Sequence, residues 1–235
     1  MKTLTIRLSA PLQAYGDQAS FARRTTNPYP TKSAIIGMIA AAFGYRRTDP
    51  RIQALNQLAF AVRVDQPGSV LSEFQTVEWK PNTRKITYRD YLQDAVFVAA
   101  IGGDTAEIEQ IAAALKKPQF QLYLGRRAAV PAVVLKMQQF ADTDPVTVLQ
   151  QLEWQASLWF QQRHRKQATY SAELYADHQL IPAKGTQLVK DRVLSFDQRA
   201  RQHGFRAIAQ TRVTLANAQY RAPEVGTDHD AWTAI

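Results

Sequence analysis

The chain has 235 residues, no cysteine, 46% hydrophobic residues and a formal net charge of +9, with a pI of about 9.8. Length and apolar content suit one or two globular domains with a real core, which excludes a disordered chain. The lack of cysteine excludes a disulfide framework and any thiolate metal site, and the charge favours a polyanionic partner, nucleic acid above all, over a basic surface kept for solubility.

The N-terminus MKTLTIRLSA places Lys2 and Arg7 where a signal peptide needs an unbroken apolar core, so a cytoplasmic location is the expectation. Leu4–Leu8 alternates apolar and polar as a half-buried strand does, and Pro11 ends it. Gln13–Pro30 is a long polar loop carrying Tyr15, Phe21, Tyr29 and the pair Arg23-Arg24. Loops of this length in compact domains are usually functional or disordered. Thr31 or Ser33 caps a helix over Lys32–Phe43, and Gly44 stops it. The apolar run Ala34–Tyr45 falls short of the roughly 18 residues of a membrane span. Asp49-Pro50 opens a short second helix, Ala59–Val64 reads as a strand, and Asp65–Gly68 reads as a turn. Val70–Arg89, basic and aromatic with Pro81-Asn82 at its middle, is predicted to project as a hairpin. Ala95–Ile101 is a nearly continuous apolar run that fits a buried central strand, broken by Gly102-Gly103. Asp104–Lys116 has the clearest helical pattern: Asp104 and Glu107 suit a capping box, Ile108, Ile111, Ala112 and Leu115 share a face, and Pro118 follows. The segment QLYLGRRAAVP, Gln121–Pro131, precedes a strand around Ala132–Met137.

Two β-α-β units arranged this way predict an α+β, ferredoxin-like (RNA-recognition-like) domain over residues 1–141, with a hairpin inserted at about 70–89. Right-handed crossovers put both helices on one face and leave the other face, with the loops at its rim, for a ligand. Residues 142–215 read as a smaller, mainly β region. A helix runs there from Asp144-Pro145 to Leu152, paired strands at Leu158–Gln162 and Thr169–Tyr175 flank a turn, and Phe205–Leu215 is a further strand. Residues 216–235 lack periodicity, and a mobile tail is expected.

Glycine lets a backbone approach phosphate closely and flanking arginines pair with it, so Gly125-Arg126-Arg127 behind Tyr123 is a candidate anion site. A C-cap glycine beside solvated arginines accounts for the same residues. Lys32-Ser33 at a helix N-terminus is a second candidate, with simple capping as its alternative. Arg23-Arg24 near Tyr15, Phe21 and Tyr29 suits unstacked bases. The hairpin carries Trp79, Lys80, Arg84, Lys85, Tyr88 and Arg89, which suit a wedge against a nucleic-acid strand. The aromatic consensus of RNA-recognition domains is missing, so loops and insertions must bind. None of His164, His178, His203 and His229 has a second histidine at metal-ligand spacing, and Asp228-His229-Asp230 is at best a weak cation site, so no metal or cofactor is expected. A metal-free nuclease could use Tyr45 beside Arg46-Arg47, or His164 beside Arg163 and Arg165, but neither set is specific.

The motifs IRLSAPLQAYG, YPTKSAIIGMIAAAFG, YRDYLQDAVFVAAI and YLGRR together resemble the CasD family of the type I-E CRISPR surveillance complex, Cascade. That family lies within CRISPR-associated protein family five of the RAMP superfamily. The resemblance runs in register from Met1 to about Pro131 and more loosely to about residue 215. It implies a domain with a protruding thumb, here about Val70–Arg89, that holds the repeat-derived 5′ handle of the CRISPR RNA. Such subunits cap one end of the backbone filament, contact the large subunit and meet target DNA through the assembled complex. The resemblance implies that the helix start at Thr31–Ser33 and the YLGRR loop line the handle site; with the residue reading above, the expected RNA-binding set is Tyr15, Arg23, Arg24, Lys32, Ser33, Arg46, Arg47, Tyr123, Gly125, Arg126 and Arg127. Relatives in another subtype cut repeat RNA with a tyrosine, a lysine and a histidine, whereas here no histidine precedes YLGRR. The expectation is therefore a noncatalytic RNA-binding subunit in antiviral defence. The alternatives are a metal-independent repeat endoribonuclease and a basic RNA-binding protein with no CRISPR role.

Overall fold

The computed structural model describes residues 1–16, 22–181 and 185–222. Among them a seven-stranded sheet is built around β1 (Lys2–Ser9), β4 (Ala59–Gln66) and β7 (Val96–Gly103). β1 pairs antiparallel with β7 on one side and with β8 (Lys136–Phe140) on the other, and β7 pairs antiparallel with β4. Helix α1 (Lys32–Phe43) and the short α2 (Arg51–Ala54) connect β1 to β4, and α3 (Thr105–Lys116) connects β7 to β8. Local signals set the helix ends. Thr31 accepts from the Ala34 N–H at 3.3 Å, Gly44 closes α1 at φ 76°, and Asp104 accepts from the Ala106 N–H at 3.1 Å.

The sheet continues past β4. β9 (Thr169–Asp177) pairs with β4, β11 (Gln202–Ala216) with β9, and β10 (Gln187–Ser195) with β11. The strands of the 142–215 region thus extend the first sheet. The predicted strand at Leu158–Gln162 is instead helix α5 (Leu158–Arg163). Six residues hold too few turns for periodicity to separate the two states; tertiary packing decides, with Phe160 and His164 of one helical face set against Tyr170 and Trp154. β7 also runs through Gly102-Gly103, where glycine allows close packing: a Cβ on Gly102 would stand 3.0 Å from Pro145.

Both faces of the sheet's central strands are covered, which overturns the expectation of one open face. Phe60, Val62, Phe97, Ala99 and Ile101 point into a core with Ile35, Ile39, Ile108 and Ile111 of α1 and α3. Ala61, Val98 and Ala100 point the other way, under Val146 and Leu149 of α4 (Pro145–Gln151) and Trp154. A strand buried on both faces needs apolar residues at every position, hence the unbroken run in β7. Arg63, fully buried on the second side, pairs with Asp65 at 2.7 Å. It also donates to the carbonyls of Leu149, Leu152 and Glu153 at and beyond the end of α4, where a positive charge meets the helix dipole.

Asn217, just beyond β11, is buried and donates to the carbonyls of His164 at 3.0 Å and Gln161 at 3.2 Å, so the first residues of the expected tail are tied to α5. Residues 223–235, with Asp228-His229-Asp230, lie outside the described residues, as does Phe21. Among the described residues no helix is long and apolar enough to cross a membrane.

Candidate nucleic-acid interface

Between β4 and β7 the chain forms a long hairpin, β5 (Ser69–Lys80) and β6 (Thr83–Gln93), paired from Ser69↔Gln93 to Lys80↔Thr83. The turn-favouring Asn82 adopts φ 60° at its tip. The base of the hairpin is widened by β2 (Leu12–Gln13) and β3 (Arg23–Arg24), both paired to β6. β3 runs parallel to β6, with Arg23 opposite Tyr88 and Arg24 opposite Arg89. The polar loop thereby delivers its two arginines to the flank of the hairpin. Strand alternation puts the exposed cross-strand pair Phe74 and Tyr88 on one face and Lys85 and Arg89 on the other. Near the tip, Lys80 covers the Trp79 ring at 4.6 Å and Arg84 lies 3.9 Å from Glu78.

The GRR segment reaches the same place from the opposite side. Ala14 N–H donates to Leu124 O at 3.1 Å, and a turn closes with Ala129 N–H donating to Arg126 O at 2.8 Å. Gly125 sits at φ 89°, and a Cβ there would lie 1.5 Å from Ala14 O. This corrects the reading of Gly125 as a glycine held against phosphate: what lies against it is the chain's own carbonyl. Its consequence is to aim Arg126. That guanidinium donates through Nη2 to Arg24 O at 2.8 Å and lies 4.5 Å over the Tyr91 ring. Its Nη1 and the Nε of Arg89 are buried and have no hydrogen-bond partner among the described residues. Arg23 stands 3.6 Å from Asp90, whose second oxygen also has no partner. Arg127 is exposed beside them. Arginines from three segments thus converge at the hairpin base, two of them with N–H groups that only water or an external acceptor satisfies. Buried donors in that state are costly, and an anion's oxygens relieve the cost with charge-assisted bonds.

Other residues of the expected set do not join this cluster. Tyr15 is 1% exposed. Its ring meets Phe97 edge-on at 5.9 Å and its hydroxyl donates to Gln13 Oε1 at 2.7 Å, so it is a core residue and no base reaches it. Burial pushes its phenol well above the ordinary value. The anion site expected at Lys32-Ser33 exists, but the chain fills it. Asp191 of β10 accepts from the Lys32 N–H at 2.9 Å at the start of α1, where helix N–H groups favour a negative charge. Lys32 Nζ, buried, pairs with Asp177 at 3.1 Å, and Arg206 bridges both acids at 2.5 Å to Asp177 and 2.7 Å to Asp191. Burial holds the Lys32 amine below its usual value despite Asp177. Burial works against Arg206 too, but the hydrogen bonds and charges of Asp191 and Asp177 win and raise it. Ser33 Oγ lies 3.2 Å from Thr31 Oγ1.

Arg46 and Arg47 are exposed beyond Gly44. Tyr45 is stacked on Phe43 and covered by Arg51 at 4.1 Å, with Arg51 held by Asp49 at 2.7 Å. His164 sits among Trp154, Phe160 and Tyr170, with Nδ1 2.9 Å from Phe160 O. Sequence reading passed over Tyr91, which platforms Arg126.

The family model described as CRISPR-associated protein (Cas_Cas5) matches residues 3–208. The Cascade subunit CasD of Escherichia coli (strain K12) is 32% identical over 146 residues, 53% of this chain; the match spans 65% of that relative's own length, just under two thirds. A chain of a solved CRISPR RNA-guided surveillance complex has a TM-score of 0.76 at 31% identity, covering 95% of each chain. A crystal structure of a Cas protein has a TM-score of 0.66 at 28% identity, covering 94% of this chain and 98% of that one.

Proposed function

The chain belongs to the CRISPR-associated Cas5 family, and on that basis we propose that it is a noncatalytic RNA-binding subunit of a cytoplasmic type I-E surveillance complex. It grips the repeat-derived 5′ handle of the CRISPR RNA, caps the backbone filament beside the large subunit, and meets target DNA through the assembled complex. The observation that carries this reading is the pair of buried, unsatisfied guanidinium N–H groups of Arg89 and Arg126 at the hairpin base. Arg23, Arg24 and Arg127 add charge around them, as a phosphodiester backbone requires. The sheet order β4-β7-β1-β8, with α1 and α3 as crossovers, supports a ferredoxin-like core. The β5–β6 hairpin, exposed over most of its length, is the thumb. The noncatalytic part is supported by the order of residues in the chain, where the first histidine, His164, follows YLGRR and its ring lies in an aromatic cluster.

The test is a tagged pull-down from the native host with sequencing of the RNA that follows the chain. Guide RNAs sharing one repeat-derived 5′ end are expected; ribosomal fragments, or no RNA, would overturn the assignment. The purified chain should leave repeat RNA intact in EDTA. Cleavage that disappears in Tyr45→Phe would make it a nuclease instead.

A further inference from the structure

A cleft of about 200 Å³ lies where the end of β1, the corner between β6 and β7 and the start of α5 meet, with Pro11, Asp94, Ala132 and Trp159 among its walls. The walls are fixed by hydrogen bonds. Gln66, 1% exposed, donates to Asp94 O at 2.5 Å and accepts from the Ser157 N–H at 3.0 Å. One buried side chain thus ties the β6–β7 corner to the start of α5. Asp94 N–H donates to Pro11 O at 3.1 Å, and Ala132 N–H to Ser9 O at 2.9 Å.

The lining differs from the basic surface elsewhere on the molecule. No lysine or arginine lines the cleft. Arg7, two residues before Ser9 on β1, donates to Gln155 O at 2.9 Å. The one charge is Asp94. It sits at φ 56°, a left-handed position that glycine or asparagine fills at little cost, and it keeps a carboxylate there. Among the described residues that carboxylate has no ion-pair partner. Trp159 is 51% exposed and its neighbour Leu158 58%; Val133 and Val134, directly after Ala132, are exposed as well. Exposed apolar side chains gathered at a cleft mark a surface that another protein covers.

Size and charge together select the occupant. The cleft is smaller than the roughly 300–1,000 Å³ of small-molecule sites. Its carboxylate repels the phosphates that the hairpin-base arginines attract. A carboxylate and an exposed indole in one mostly apolar cleft suit a guanidinium, which stacks on the ring, pairs with the acid and lays its methylene stem along the apolar walls.

We propose that this cleft is a docking pocket for one arginine of a neighbouring protein subunit, held by Trp159 and Asp94, with Leu158, Val133 and Val134 making apolar contacts around it. The pocket rests on the reading of the chain as a subunit of a surveillance complex, and it uses none of the residues assigned to RNA.

The test places the photo-crosslinker p-benzoylphenylalanine at Leu158 of the tagged full chain, expressed in the native host, and maps the adduct in the purified complex by mass spectrometry. An adduct to a protein peptide that contains arginine is expected. Asp94→Asn removes the charge and tolerates the same backbone. It and Trp159→Ala should each lower the adduct yield and the retention of that subunit in a salt wash about 5- to 10-fold. Asp94→Asn should do so with the melting temperature kept within about 2 °C. Asp94→Arg should abolish retention, and exchanging the crosslinked arginine for aspartate should restore it. If the complex forms but the adduct is to RNA, to a peptide without arginine, or absent, or if the variants leave yield and retention unchanged, the pocket is refuted and the functional reading stands. If the unsubstituted chain recovers neither CRISPR RNA nor a partner subunit, both are overturned.

Discussion

Replacing Gly125 by alanine should damage both the fold and the site. The residue sits at φ 89°, where an L side chain costs about 1–2 kcal/mol. The new methyl would meet Ala14 O at 1.5 Å, about half of any contact a real Cβ makes, so the two backbones must part. Parting them breaks the 3.1 Å bond from Ala14 N–H to Leu124 O. Leaving those groups unpaired costs about 1–3 kcal/mol more. The sum is about 2–5 kcal/mol, and for a chain of this size each kcal/mol lowers the melting temperature by about 2–4 °C. A fall on the order of 10 °C is expected by thermal unfolding, with loss of RNA retention, because Arg126 leaves Arg24 O and the Tyr91 ring. Arg126→Ala is the control: it should weaken RNA binding at a nearly unchanged melting temperature. If Gly125→Ala melts within about 2 °C of the parent, the contact with Ala14 does not constrain this loop and the account of how Arg126 is aimed is wrong.

Asp177→Ala should cost about 3–5 kcal/mol in urea unfolding, since it strands Lys32 and Arg206 in a buried site with Asp191 as the one remaining acid; a loss below about 1 kcal/mol would mean that water already enters the network. Replacing Glu78–Lys85 by a short turn should shift the melting temperature by no more than about 2 °C, because these side chains are exposed and touch no core. It should nonetheless disturb assembly on CRISPR RNA, and unfolding would show the tip to be part of the core. Asp144 accepts from the N–H groups of Val146 and Thr147 at the start of α4. Burial opposes its charge, but the bonds from Thr147 and Val146 win and hold the carboxyl below its ordinary 3.8. A carboxylate depressed in the folded state stabilises above its ordinary value, and the benefit is lost as pH falls. The stability gap between the parent and Asp144→Ala, about 1 kcal/mol at neutral pH, should therefore hold steady down to about 3.8 and close below it. A gap that persists in acid would remove the cap as its cause.

Several elements were legible because their determinants are local. Thr31, Gly44, Asp104 and Asp144 mark helix ends through bonds made within a few residues of themselves. The β7 run and the hairpin around Pro81-Asn82 are likewise local in origin, and the composition already pointed to a polyanion. Helix α5 escaped because six residues carry too little periodicity. β10 escaped although Gln187–Ser195 alternates in burial, since an exposed edge strand needs no apolar signature.

The sequence by itself determined helices α1 to α4, the central strands, the hairpin and the family, through short-range capping, apolar period and motif spacing. Tertiary structure alone decided which charges are available. Lys32 reads as a free cation at a helix start, yet its partners Asp177 and Asp191 lie 145 and 159 residues further along the chain. Tyr15 reads as a loop aromatic and closes the core against Phe97. Gly125 reads as a place for phosphate and holds Ala14, while Arg126 beside it keeps an unsatisfied N–H. Whether a charge meets an acid of the same chain or is left for a ligand depends on which distant strands the sheet brings together, and no local pattern encodes that.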